Sequence, residues 1–220
     1  MEKKNKLNRL WPTYVGEFYN PEHDKIKNDL LDYFDEYIKK NPKSRKAGEN
    51  NRLYESEYNL HTLNNKHFKK LLLFISNSIL TMSNEANKSE IQSFRKPMFQ
   101  VTIRDSWFIN YKRGGFVLPH THANCSWCCV YYVQLGNDAD YANGGTYFQK
   151  TLPIRNINDF GSLYNKGATV KIKPEEGKLL VWPNFVLHGS TPYMGEKNKI
   201  IVSANTSISL LENNKPVPSN

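Results

Sequence analysis

The chain has 220 residues, 30 Lys+Arg against 21 Asp+Glu, and a formal net charge of +9. That length allows a single domain with a full core, and the odd trio Cys125, Cys128 and Cys129 excludes a disulfide framework and points to a reducing, cytoplasmic setting. No apolar segment follows the start MEKKNKLNRL and no run reaches the ~18 residues of a membrane span, so neither a leader nor a membrane anchor is expected.

The basic residues are scattered over Lys3–Arg9, Lys39–Lys46 and Lys66–Lys70. Such spacing describes a solvated surface, and no nucleic-acid partner is expected.

Trp11 to Phe18 reads as an opening strand. Asn20-Pro21 then supplies an N-cap and a first-turn proline. Ile26, Leu30, Phe34, Tyr37 and Ile38 follow at helical spacing until Asn41-Pro42 ends the helix. Residues 41–52 carry no periodicity and read as a loop. A second helix is predicted over about Asn64 to Met82, with Phe68, Leu71, Leu72, Ile75 and Ile79 as its buried stripe. His23, His61 and His67 lie in or near these helices without partners at ligand spacing and read as surface or cap residues.

From Met98 onward the chain changes character, to short β-branched and aromatic runs punctuated by glycine and proline. Strands are predicted over Phe99–Ile103, Ser106–Tyr111, Ser126–Gln134, Thr146–Gln149, Thr169–Ile172, Lys178–Trp182 and Ile200–Ser209. Helices first and strands afterwards give a mainly β protein, with N-terminal helices packed outside a jelly-roll core. The expected division is one domain over 1–220: a strand and supporting helices over 1–97, the β core over 98–210 and a tail over 211–220. Thr151 to Gly167 reads as a long loop over one end of the barrel, a candidate lid.

Three histidines stand out within the β half. His120 and His122 are two residues apart, so on extended backbone they face one side. His188 lies where another apolar run enters a turn. Neutral imidazole is the commonest side-chain metal ligand. A zinc site combining these histidines with the cysteines is disfavoured, because Cys128 and Cys129 point to opposite faces of a continuous strand.

The order of features around the histidines resembles the iron(II)- and 2-oxoglutarate-dependent oxygenases, above all the prolyl-hydroxylase-like members and the small bacterial and phage group. The resemblance covers roughly Trp107 to Ser207 and rests on Tyr111 with Gly114, His120 and His122, Gly144 to Phe148, Pro174 to Pro183, His188 and Lys199. It implies a double-stranded β-helix (jelly-roll, cupin-like) and a dioxygenase that takes 2-oxoglutarate and O2 and hydroxylates an unactivated C–H bond, of a prolyl or other peptidyl substrate. It also implies iron(II) held by His120, His122 and His188. The far carboxylate of 2-oxoglutarate would be anchored by Lys199, with help from Tyr111. Ser203 and Asn205 alternate inward with Lys199 on the last strand and so line the same pocket.

Two departures matter. His122 stands where the family carries Asp or Glu, and Asp138 and Asp140 are the alternative carboxylates nearby in sequence. Lys199 with Ile201 stands where many members have Arg-x-Ser, and lysine lacks the bidentate fork of arginine. Two other functions stay open from sequence: a cupin-like metal-binding protein without oxygenase activity, and a basic nucleic-acid-associated β-barrel.

Overall fold

The structure is a computed structural model that describes residues 12–45, 52–91, 98–151, 167–212 and 215–216. In chain order it contains β1 (Gly16–Tyr19), α1 (His23–Lys40), β2 (Leu53–Glu55), a short 3-10 turn (Leu60–Thr62), α2 (Lys66–Ala86) and α3 (Lys88–Ile91). The β half follows as β3 (Met98–Tyr111), β4 (Trp127–Gln134), β5 (Thr146–Gln149), β6 (Thr169–Ile172), β7 (Lys178–Pro183), β8 (His188–Ser190), β9 (Lys199–Glu212) and β10 (Lys215–Pro216). The larger sheet runs β1-β7-β4-β9-β3-β2, with β10 added to β9, and the smaller one runs β6-β5-β8. Among the described residues every pairing between strands is antiparallel. This is the double-stranded β-helix expected from the sequence.

The large sheet is buried on both faces, which is why β4 and β7 read as unbroken apolar runs. Tyr131, Val133, Leu179, Val181 and Val202 pack with α1 and α2 residues such as Leu30, Phe34, Phe68 and Ile75. Their neighbours Val130, Tyr132, Leu180, Trp182 and Ile201 turn the other way, into a second core with Phe148 of the small sheet. The period of two thus divides one apolar run between a helix-facing core and the interior of the barrel.

Phe108 anchors the helix-facing side. It is fully buried, stacks on Phe34 at 4.3 Å and meets Tyr37 edge-on at 5.7 Å. Phe108→Ala is expected to lower unfolding free energy by about 3–5 kcal/mol, because it removes both apolar burial and ring contacts. Urea denaturation checks it.

Strand β3 is a single strand where the sequence suggests two. It pairs with β9 along its length, with a register shift between Ile103 and Asp105. Arg104 is the extra residue, and the bulge inverts facing. Ile103 packs toward the helices, whereas Trp107, Ile109 and Tyr111, of the same parity, face the barrel interior.

Three local expectations need correction. Helix α1 starts at His23 with Glu22 as its N-cap, whereas Asn20 holds the preceding turn by accepting from the Glu22 N–H at 3.0 Å. His23 is buried: its Nδ1 lies 2.7 Å from the Tyr131 hydroxyl, and burial lowers its pKa. It is a core histidine because the first turn of α1 lies against β4. The opening strand occupies Gly16–Tyr19 only, and Trp11 falls outside the described residues. Helix α2 agrees with its predicted stripe, and Asn65 caps it by accepting from the N–H groups of His67 and Phe68.

Candidate active site

The interior of the barrel is a cavity of about 960 Å³, reached past Phe116 and Leu118. Its histidines come from two segments that the sheet alone would not bring together. His120 and His188 form an isolated antiparallel bridge in which each N–H donates to the other's carbonyl, at 2.9 and 3.0 Å. Two residues on, the His122 N–H donates to Asn184 O at 3.0 Å. The HxH pair therefore lies on extended backbone clamped to the approach to β8, ahead of β4.

The side chains converge. One nitrogen from each of His120, His122 and His188 lies within 4.8 Å of the others, and among the described residues no carboxylate or thiol belongs to this cluster. His120 Nδ1 is 2.9 Å from Leu118 O and His188 Nδ1 is 2.8 Å from Val186 O. A carbonyl only accepts, so both rings carry their proton on Nδ1 and offer Nε2 to the cluster. Burial, reinforced by neighbouring His120, lowers the pKa of His122 to about 4 and of His188 to about 3. Both rings are therefore neutral near pH 7, the state a metal requires. His122 Nε2 and His188 Nε2 stand 3.2 Å apart, close enough that only a cation or proton between them relieves lone-pair repulsion. Trp182 packs on His188 at 4.6 Å, and Trp107 is roughly parallel to His122 at 6.1 Å.

Deeper in the same cavity is Lys199, with 1% of its surface exposed. Its Nζ donates to Gly144 O at 2.7 Å and sits 4.1 Å above the Tyr111 ring. Among the described residues no carboxylate pairs with it, and burial lowers its pKa to about 7. A buried cation without a counter-charge is costly, and an incoming anion offsets that cost. Gly144 makes the carbonyl available because its φ of +77° is closed to most side chains, and a Cβ there would meet Tyr193 at 2.8 Å. Tyr111 presents its ring face to Lys199, and its hydroxyl bonds toward Ser190.

Ser203 and Asn205 line the cavity with Lys199, as the period of two requires. Asp138 and Asp140 take no part in the histidine cluster. Asp140 Oδ1 accepts from the Ala142 and Asn143 N–H groups, and Asp138 Oδ2 accepts from Asn143 Nδ2 at 3.1 Å, so both carboxylates shape their own loop. Cys128 and Cys129 do face opposite cores. Cys125 meets Cys128 at 3.6 Å between sulfurs, after a left-handed turn at Asn124, and burial raises both thiol pKa values. The candidate lid lies almost wholly in 152–166, outside the described residues.

Sequence reasoning missed two contributors to the cavity. Trp107 and Trp182 both line it, and among the described residues neither indole N–H has a hydrogen-bond partner. Tryptophan in a strand reads as core, and no sequence signal marks an unpartnered donor.

Residues 105–205 match the family described as "Putative 2OG-Fe(II) oxygenase". This segment belongs to the 2-oxoglutarate- and iron(II)-dependent oxygenases. Its cofactors are accordingly iron(II) and 2-oxoglutarate. No curated protein sequence matches the chain.

Solved oxygenase structures share the fold. A prolyl-4-hydroxylase from Pseudomonas putida is 12% identical, with a TM-score of 0.55 over 88% of this chain and 91% of that one. HygX from Streptomyces hygroscopicus, with nickel, 2-oxoglutarate and hygromycin B bound, is 9% identical, with a TM-score of 0.58 over 89% and 83%. SnoK, a non-heme alpha-ketoglutarate-dependent carbocyclase from nogalamycin biosynthesis, is 9% identical, with a TM-score of 0.62 over 94% and 90%. No described helix is long and apolar enough to cross a membrane.

Proposed function

We propose that the protein is a non-haem iron(II)/2-oxoglutarate dioxygenase that hydroxylates an unactivated C–H bond, in a prolyl or other peptidyl substrate. The observation that carries this reading is one cavity holding both the convergent His120, His122 and His188 and the buried, uncompensated Lys199. A silent metal site has no use for such a lysine.

The donor set fits the cofactors. Three neutral imidazoles on one side of a metal leave its other positions open to a bidentate co-substrate and oxygen. When bound, iron(II) with 2-oxoglutarate and O2 supplies the oxidation, and 2-oxoglutarate leaves as succinate and carbon dioxide.

The chain's own groups bind and orient. Leu118 O and Val186 O hold His120 and His188 in the tautomer that directs Nε2 inward. Lys199 takes the far carboxylate of 2-oxoglutarate as a point charge, steadied by Gly144 O and the Tyr111 ring. Trp182 and Phe148, 5.3 Å apart, both pack against His188, the buried member of the three. At the mouth Phe116 and Leu118 expose 38% and 69% of their surface, apolar area that a peptide can cover. A volume near 960 Å³ lies at the upper end of the range of about 300–1,000 Å³ for ligand pockets, room for the co-substrate and one substrate side chain.

Anaerobic addition of iron(II) and then 2-oxoglutarate is expected to produce a visible metal-to-co-substrate charge-transfer band, and air is expected to yield succinate. Protein that binds iron yet shows neither signal would rule this function out and leave a metal-binding protein without oxygenase activity.

A further inference from the structure

The proposed reaction makes no use of Cys125 and Cys128, yet the structure sets their sulfurs side by side. Residues of opposite parity face opposite sides of a continuous strand. These two meet because β4 begins only at Trp127, and the chain ahead of it turns left-handed at Asn124, with φ +58°, and bends at Ser126. The sulfurs stand 3.6 Å apart, in contact and about 1.5 Å beyond the ~2.05 Å of a disulfide bond.

The backbone around the pair is held from both sides. The Ser126 N–H donates to Thr206 O at 2.7 Å, the Asn184 N–H to Ser126 O at 3.2 Å, and Asn184 Nδ2 to His122 O at 3.3 Å. These bonds use no cysteine group and do not compete with a bond between the sulfurs. Access differs between the two thiols. Cys128 is 1% exposed and stands across from Trp182 in one ladder and Asn205 in the other, both residues of the cavity wall. Cys125 is only half-buried. Burial pushes both thiols up, and the contact between them favours the thiolate on Cys125 over Cys128. Cys129 belongs to the helix-facing core.

We propose that Cys125 and Cys128 form a reversible intrachain disulfide by exchange with a low-molecular-weight disulfide, tying the segment that carries His120 and His122 to the start of β4. The Cys125 thiolate attacks one sulfur of the small disulfide, forms a mixed disulfide and expels one thiolate. The Cys128 sulfur then attacks the Cys125 sulfur and expels the second. Both cysteines are oxidised, the small disulfide is reduced to two thiols, and the two cysteine protons pass to them. The site does not depend on which residues hold the metal. An oxygenase cavity works beside O2, and a disulfide in its wall is undone by thiols, whereas sulfinic and sulfonic acids are not.

The test uses the full chain under argon with glutathione disulfide as the oxidant, followed by unfolding and alkylation of the remaining thiols. The free-thiol count is expected to fall from three to one, with Cys129 as the thiol that remains. Excess reduced glutathione should restore all three. Peptide masses should show Cys125 joined to Cys128 with no glutathione attached. Cys128→Ser is expected to stop at a mixed disulfide on Cys125, and Cys125→Ser to keep Cys128 as a free thiol. The measurement on the native chain stands whether or not either variant folds. An undiminished thiol count, a glutathione adduct that persists on Cys125 in the native chain, or oxidation of Cys129 as fast as the pair overturns the proposal.

Discussion

His188→Ala is expected to abolish tight iron(II) binding and leave the fold standing. The bonds that clamp the two ligand segments are main-chain ones, His120 N–H to His188 O and the reverse, and they survive loss of the ring. Loss of Nε2 leaves two neutral donors, which cannot hold a divalent ion as three do. The affinity should drop by more than the roughly 10- to 100-fold cost of losing an outer partner. His120→Ala should behave alike. His122→Asp should keep iron, since carboxylate and imidazole both serve as ligands in such sites. Anaerobic equilibrium dialysis distinguishes these cases, and a His188→Ala protein that holds iron as tightly as the native chain would refute the assignment.

Lys199→Met is expected to separate co-substrate binding from stability. Truncating one partner of a buried charge pair costs about 2–5 kcal/mol, so the Kd for 2-oxoglutarate should rise roughly 30- to 4,000-fold. The metal-free protein should become more stable, since an apolar replacement removes a buried cation without a counter-charge among the described residues. Losing the bond to Gly144 O offsets part of the gain.

The pH dependence follows in sign. Burial lowers the folded-state pKa of Lys199 to about 7, while the unfolded chain keeps the ordinary lysine value of about 10.4. Between those values the unfolded state binds the extra proton, so this group makes stability rise with pH across that window. Binding of 2-oxoglutarate runs the other way and should weaken above pH 7 as the lysine loses its charge. Urea titrations and calorimetry at pH 6.5 and 9 should show both slopes in the native protein, and Lys199→Met should flatten them. A variant that binds 2-oxoglutarate normally would remove Lys199 from the site.

What the sequence determined by itself is whatever is local or strictly periodic. The stripe of α2 follows from helical spacing, and the double burial of β4 and β7 from unbroken apolar runs. The alternation of Lys199, Ser203 and Asn205 into one cavity follows from the strand period. The ordered motif set also gave the family and pointed to His120, His122 and His188, which the fold brings together.

Tertiary structure alone decided the rest. His23 is buried because α1 lies against β4, a contact between distant parts of the chain. Asp138 and Asp140 sit near the histidines in sequence but spend their oxygens on their own loop. Asp105 gives no sequence signal, because one inserted residue at Arg104 inverts the facing of β3, and only the pairing with β9 reveals the insertion. Periodicity records which way a side chain points along its own strand. Register across strands is set by long-range pairing, and that register brings Asp105 to Asn205.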